Sequence, residues 1–408
     1  MNILSINKFF WQKGGSEAVF FAEKELLESH GHKVVPFSMA DEKNRPSDYS
    51  QYFVKNADYA NAGGLEKLTL AMNIIYSFEA KHKMKQLLEA FKPDVAHFHI
   101  FQHQISPSII GPLKAKKVPL VLTLHDLKPL CPTYQMYTND SVCEACKGRK
   151  FYNCFINKCT MGSSFKSLIN TVEMYLHYFL GYYQEVDRYI AVSQFYRSKM
   201  IEYGFAPEQV VCIPNYIDAA KFERSYDDQG YGLFFGRLSH EKGVDHLLEA
   251  AAINQDIPLY IAGTGPVEDE LKQIVEKKGL ANVKFLGFVT GDDLLDLISK
   301  ASFTVISSVW YENCPMSVLE SLALQTPVIG ADIGGIPELI NPGVDGYTYE
   351  AGNSQALADS MKTIMKDKPG RQAMGKAARK KIINDFNAET HYQSLMDLYA
   401  EITPASGK

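Results

Sequence analysis

No apolar run in this 408-residue chain approaches the ~18 residues that a membrane-spanning helix requires, so the protein is not expected to cross a bilayer. The N-terminus, Met1-Asn2-Ile3-Leu4-Ser5-Ile6-Asn7, lacks a basic segment followed by a long apolar stretch, and reads as a first strand rather than a signal peptide. Fixed-period repeats and biased segments are also missing, and 46% apolar with 22% charged residues excludes disorder. A cytoplasmic protein of two or more domains is expected, at about 100–200 residues per domain. The formal net charge is only -5, but it is unevenly spread. Residues 1–215 hold 24 Lys and Arg against 20 Asp and Glu, whereas the remainder holds 18 against 27. A basic half suits an anionic partner such as a membrane surface or a phosphorylated acceptor; random surface drift would give the same count.

What is present is alternation. Short β-rich runs (Ile3–Ile6, Lys33–Phe37, Asp94–Phe98, Leu120–Leu124, Arg188–Val192, Val210–Ile213) interleave with helical patterns such as Ser16–Ser29 and Ala80–Phe91. A second series runs Tyr231–Phe235, Leu259–Ala262, Val283–Leu286, Phe303–Ile306 and Pro327–Ile329. Repeated βαβ units of this kind predict an α/β protein with two doubly wound, Rossmann-like domains. The seam falls at Pro214-Asn215-Tyr216, which divides the chain into 1–215, 216–385 and a C-terminal helix within 386–408 that could cap either domain.

Loops after these strands carry the chemistry. Lys13-Gly14-Gly15-Ser16 opens a helix, either as a ligand loop or as a plain turn, and Lys13 favours the former. Gly263-Thr264-Gly265-Pro266 begins like a dinucleotide fingerprint, yet Glu268 stands where the third glycine is needed, so a nicotinamide enzyme is disfavoured. Arg237 and Lys242, five apart on the loop after Tyr231–Phe235, could both reach one diphosphate. Glu312 and Glu320 flank Pro315, which suits a helix's first turn. The free N–H groups of Met316 and Ser317 would then face an anion between two carboxylates, the layout of a sugar nucleotide. His125 closes the strand Leu120–Leu124 at the ligand-binding edge. His97, His99 and His103 lie near another strand's end, at a spacing poorly suited to one metal.

With these motifs in order, the chain resembles the retaining GT-B glycosyltransferases of family 4, also called group 1. The most specific segments are Gly236-Arg237-Leu238, Glu241-Lys242-Gly243, the pair Glu312 and Glu320, and Gly334-Gly335-Ile336-Pro337-Glu338. The resemblance implies two domains facing across a cleft, the first holding the acceptor and the second a UDP- or GDP-sugar. It assigns the ribose to Glu320, the sugar hydroxyls to Glu312, and the diphosphate to Arg237 and Lys242. Gly287 and Phe288 would lie near the base, with Gly265 in the same donor-binding half; Gly14 and Gly15 would close over the phosphates, and His125 would approach the sugar. Many relatives carry Gly-Phe-Gly where this chain has Asn313-Cys314-Pro315, and the bulkier set is expected to narrow the pocket.

No D-x-D triplet occurs, which agrees with metal-free departure of the diphosphate, and no evident covalent nucleophile stands in these motifs. The expected activity is transfer with retention to a glycan, glycolipid or other acceptor, in cell-surface polysaccharide synthesis. A nucleotide-sugar epimerase and a non-catalytic sugar-nucleotide-binding protein are the alternatives. No nucleic-acid partner is expected.

Two segments lie outside this scheme. An insertion at about 131–160 holds Cys131, Cys143, Cys146, Cys154 and Cys159; the last four could bind structural zinc, or remain thiols or pair as disulfides. Residues 165–183 are rich in aromatic and aliphatic side chains. Core packing is the preferred reading there, with peripheral contact at the inner face of the cell membrane as the other.

Overall fold

The runs that alternate with helices form two six-stranded parallel sheets in the computed structural model, which describes residues 1–56, 72–103, 105–223 and 226–403. The first sheet uses β1 (Asn2–Ile6), β2 (Lys33–Phe37), β3 (Val95–Phe98) and β4 (Leu120–Leu124). After a small hairpin, β5 (Tyr137–Thr138) and β6 (Ser141–Val142), it is completed by β7 (Arg188–Ala191) and β8 (Val210–Cys212). Its order is β2-β1-β3-β4-β7-β8. The second sheet contains β9 (Gly232–Phe235), β10 (Leu259–Ala262), β11 (Val283–Gly287), β12 (Phe303–Ile306), β13 (Val328–Ala331) and β14 (Gly346–Tyr349), in the order β11-β10-β9-β12-β13-β14. Every residue of β4 and β12 is buried, as expected of parallel strands covered by helices on both faces. Strand order reverses between β1 and β3 and between β9 and β12. Crevices open at the carboxyl ends of such switch points, and the loops singled out above, those holding Gly14, Arg237 and Glu312, leave these strands.

The chain's last helix, Ala388–Ile402, returns to the first sheet, where Leu395, Leu398 and Tyr399 pack with Ile3, Val95 and Val121. Residues 404–408 of the C-terminal segment lie outside the described residues. Two helices without a clear sequence signal, Ser354–Lys366 and Lys368–Asp385, precede it; Pro369 opens the second, and its buried positions are sparse.

Two expectations are corrected. The stretch 165–183 is core only in part: Met174 and Tyr183 pack in a buried cluster, but most apolar side chains of the helix Ser164–Phe179 point outward while Ser167, Asn170, Thr171, Glu173 and His177 point inward. The inversion serves a buried ion pair, because Glu173 Oε2 lies 2.7 Å from Lys128 Nζ. Cys143, Cys146 and Cys159 do draw together, lining one small cavity with Cys131, but among the described residues no three of these sulfurs lie within 4.8 Å of one another, so the zinc reading gains no support. All are free thiols, and Cys154 bonds to Cys159 while packing in an apolar cluster with Cys146, Phe151 and Met174. Among the described residues, the one group of three metal-capable side chains with ligand atoms within 4.8 Å of one another is Glu23, His97 and His99.

Candidate active site

The loop leaving β9 turns back on itself at Gly243, whose φ of 59° is left-handed and where a Cβ would stand 2.2 Å from the Ser307 carbonyl oxygen. Only glycine allows this approach, and it carries Lys242 to the loop after β12. There Lys242 Nζ donates to Glu312 Oε1 at 2.6 Å, and the same oxygen accepts from Ser308 Oγ at 2.6 Å and from Trp310 Nε1 at 2.9 Å. Burial alone would raise the Glu312 pKa, but the Lys242 ammonium and these donors outweigh it and hold the carboxyl below its usual range. Glu312 is thus a buried carboxylate whose Oε2 takes no partner among the described residues. Arg237, on the same loop, is exposed.

Pro315 precedes the helix Met316–Ala323, and the first-turn N–H groups of Met316 and Ser317 take no partner among the described residues. One turn on, Glu320 and Met316 line a cavity of about 560 Å³ between the domains, together with Gln12, Phe21 and Tyr216. Burial pushes the Glu320 pKa up to about 7, with no cation to oppose it. Two carboxylates eight positions apart therefore carry different charge near neutrality, an arrangement set by environment alone.

The motif glycines hold loops against one another. A Cβ on Gly335 would stand 1.7 Å from the Asn313 carbonyl oxygen, and one on Gly265 would stand 2.1 Å from that of Leu238. Gly265 is thus needed for loop packing, whatever it does for a ligand. Gly287 has open space around it and Phe288 is exposed. Gly14 caps the helix Gly15–Ser29 in an extended conformation, and a Cβ on Gly15 would meet nothing within 4 Å.

His125, at the end of β4, is partly exposed and joins a buried relay. Its Nε2 lies 2.9 Å from His99 Nδ1, and His99 Nε2 lies 3.5 Å from Glu23 Oε1. Glu23 also faces His97 Nδ1 at 2.9 Å and His391 Nε2 at 3.5 Å. Burial would raise the Glu23 pKa, but His97 and His99 outweigh it and keep this carboxyl well below its usual range. An ionised Glu23 only accepts, and His99 Nε2, buried 3.5 Å from it, makes no hydrogen bond to it. Across the 2.9 Å contact between His99 Nδ1 and His125 Nε2 one ring donates to the other. Burial, then His99, lowers the His125 pKa to about 3, so the ring is neutral. His103 lies apart, 3.7 Å from Glu173.

Four residues to which the sequence assigned no such role join the domains or support the site. Glu23 sits on the apolar face of its helix with Val19, Phe20 and Leu27, and an acid in that stripe was the available signal. Asn313 Nδ2 donates to the His125 carbonyl at 2.8 Å, and Cys314 is buried in the second core. The bulk at these positions goes into the domain contact and the core instead of narrowing a pocket. Glu338 accepts from the N–H groups of Gln194 and Phe195, at 2.7 and 2.6 Å, and so caps a helix of the first domain. The structure thus ties Lys242, Glu312, Asn313 and His125 into one chain of contacts, and places Met316 and Glu320 on one cavity. Arg237, Phe288 and Gly14 make no bond to that group among the described residues.

Residues 13–221 match the family model described as Glycosyltransferase Family 4, and residues 217–381 match that of Glycosyl transferases group 1. An uncharacterized glycosyltransferase of Methanocaldococcus jannaschii is 30% identical over 208 residues, 49% of this chain and 53% of the relative. The chain spans about half the length of most curated relatives it matches. Sucrose-phosphate synthase of Thermosynechococcus elongatus superposes with a TM-score of 0.73 at 18% identity over 100% of both chains. Anabaena HepE in complex with UDP and glucose gives 0.65 at 20% identity, over 98% of this chain and 99% of that one. The shared fold is GT-B, and the chain belongs to the family 4, group 1 glycosyltransferases.

Proposed function

We propose that this protein transfers a sugar from a UDP- or GDP-sugar to a glycan or glycolipid hydroxyl with retention of configuration, in cell-surface polysaccharide synthesis. The observation that carries the reading is the Lys242–Glu312 pair just ahead of a helix whose first N–H groups are open, with Glu320 of that helix on the inter-domain cavity. Residues 216–385 hold the donor: Glu320 takes the ribose, Glu312 Oε2 the sugar hydroxyls, Gly287 and Phe288 the base, and Arg237, Lys242, Met316 and Ser317 the diphosphate. Residues 1–215 hold the acceptor, with Gly14 and Gly15 over the phosphates and His125 beside the transferred sugar. The acceptor oxygen bonds to the anomeric carbon on the face from which the diphosphate leaves. The breaking bond's electron pair goes to phosphate, and the hydroxyl proton passes to the departing phosphate oxygen. The Anabaena relative solved with UDP and glucose supports a sugar-nucleotide ligand. A thermal-shift screen against nucleotide sugars tests the reading: one UDP- or GDP-sugar should raise the melting temperature, and a flat panel would remove the donor assignment.

Two further results are expected. With no D-x-D, EDTA should leave transfer intact; loss with EDTA and recovery with Mg2+ would overturn metal-free departure. Glu320 gains its ribose-accepting charge as pH rises through about 7, so nucleoside diphosphate affinity should increase from about pH 6 to about pH 8 and lose that dependence in Glu320→Gln. For stability the sign is opposite, because the folded pKa lies above the unfolded value of about 4.3. The protonated group contributes stability that is full below that value and is lost as pH rises through about 7.

A further inference from the structure

We propose that the outward face of the helix Ser164–Phe179 docks the protein on an anionic lipid bilayer. Helices of globular proteins turn their apolar stripe toward the core, and this one does the reverse. Phe165, Leu168, Val172, Tyr175, Leu176 and Phe179 fall on one side at helical spacing and are all exposed, Phe179 at 86%. The adjoining insertion adds exposed Phe155, Ile156 and Met161 beside them in the chain, which extends the apolar surface beyond one helix. An apolar face of this extent marks an interaction site.

Charge selects the occupant. Arg149, Lys150, Lys158 and Lys166 are exposed in the same segment. Between residues 149 and 180 the only acid is Glu173, which is buried against Lys128. A second copy of the chain would set these cations against their own kind, whereas anionic headgroups would neutralise them while the apolar stripe enters the acyl boundary. The helix has 16 residues, and no helix among the described residues is long and apolar enough to cross a membrane, so it would lie in the plane of the interface. Docking would hold the first domain beside lipid-linked molecules, but it does not rest on the transfer reading, and its test uses no substrate.

The full-length protein is sedimented with vesicles of phosphatidylcholine containing about 30% phosphatidylglycerol, and with phosphatidylcholine alone. The expected result is binding to the anionic vesicles that weakens with added salt. It should fall at least about tenfold in Phe165→Ser/Phe179→Ser and in Lys158→Glu/Lys166→Glu, with melting temperatures unchanged because the sites are exposed. No anionic binding, or equal binding by the variants, overturns the proposal. So does a dimer that forms without lipid and is abolished by Phe165→Ser/Phe179→Ser, which would assign the face to self-association.

Discussion

Lys242→Ala should lower turnover about a hundredfold while leaving the fold intact, since removing one donor aimed at developing phosphate charge commonly costs ~3 kcal/mol of barrier. The structure adds a second consequence. Lys242 is the cation that keeps the buried Glu312 ionised, so its removal raises the Glu312 pKa and frees the carboxyl from one of its three donors. Lys242→Ala and Glu312→Gln should therefore be strongly non-additive: the double variant falls little below the worse single one. Arg237→Ala has no such partner and should lower turnover comparably but additively with Glu312→Gln. Steady-state rates of the wild type, the three single variants and the two double variants decide this. Near-normal turnover in both cation variants would remove the diphosphate assignment.

The largest expected loss of stability lies away from the proposed site. Lys128 is 1% exposed and Glu173 0%, and Lys128 also donates to the Pro132 carbonyl. Glu173→Ala would strand an ammonium in the core at a cost of about 3–5 kcal/mol, whereas Lys128→Met with Glu173→Leu should recover most of that loss, because no unpaired charge remains. A drop of roughly 10 °C in melting temperature is expected for the single variant. Burial alone would raise the Glu173 pKa, but Lys128 and His103 outweigh it and hold it low. The ion pair's contribution is accordingly present above the ordinary carboxyl range and lost as pH falls through the depressed value. An unchanged melting temperature in Glu173→Ala would mean that the pair contributes nothing net.

Strands and their loops were legible because parallel strands buried on both faces leave apolar runs, and ligand loops leave glycine and basic residues after them. Leu120–Leu124 and Phe303–Ile306 fall where those runs lie. The contacts that assemble the site were not legible, because they depend on which distant segments meet. Nothing beside Glu338 in sequence indicates that it caps a helix 144 residues upstream, and Asn313 looked like added bulk until its amide met the His125 carbonyl. Periodicity revealed an apolar stripe at 165–183 but not its direction, since a period of 3.6 is the same whether the stripe faces the core or solvent. The cysteine spacing foretold nearness but not ligand geometry: Cys143, Cys146 and Cys159 line one cavity and Cys154 packs beside them, yet among the described residues no three sulfurs come within 4.8 Å of one another.

The central claim, that the second domain holds a sugar nucleotide between two carboxylates of unlike role, is tested most directly by calorimetric titration of UDP and GDP into the wild type, Glu320→Gln and Glu312→Gln. One nucleotide should bind the wild type, bind Glu320→Gln markedly more weakly because the ribose acceptor is lost, and bind Glu312→Gln nearly as well because the product carries no sugar. Absence of binding by either nucleotide, or equal weakening in both variants, would contradict the account.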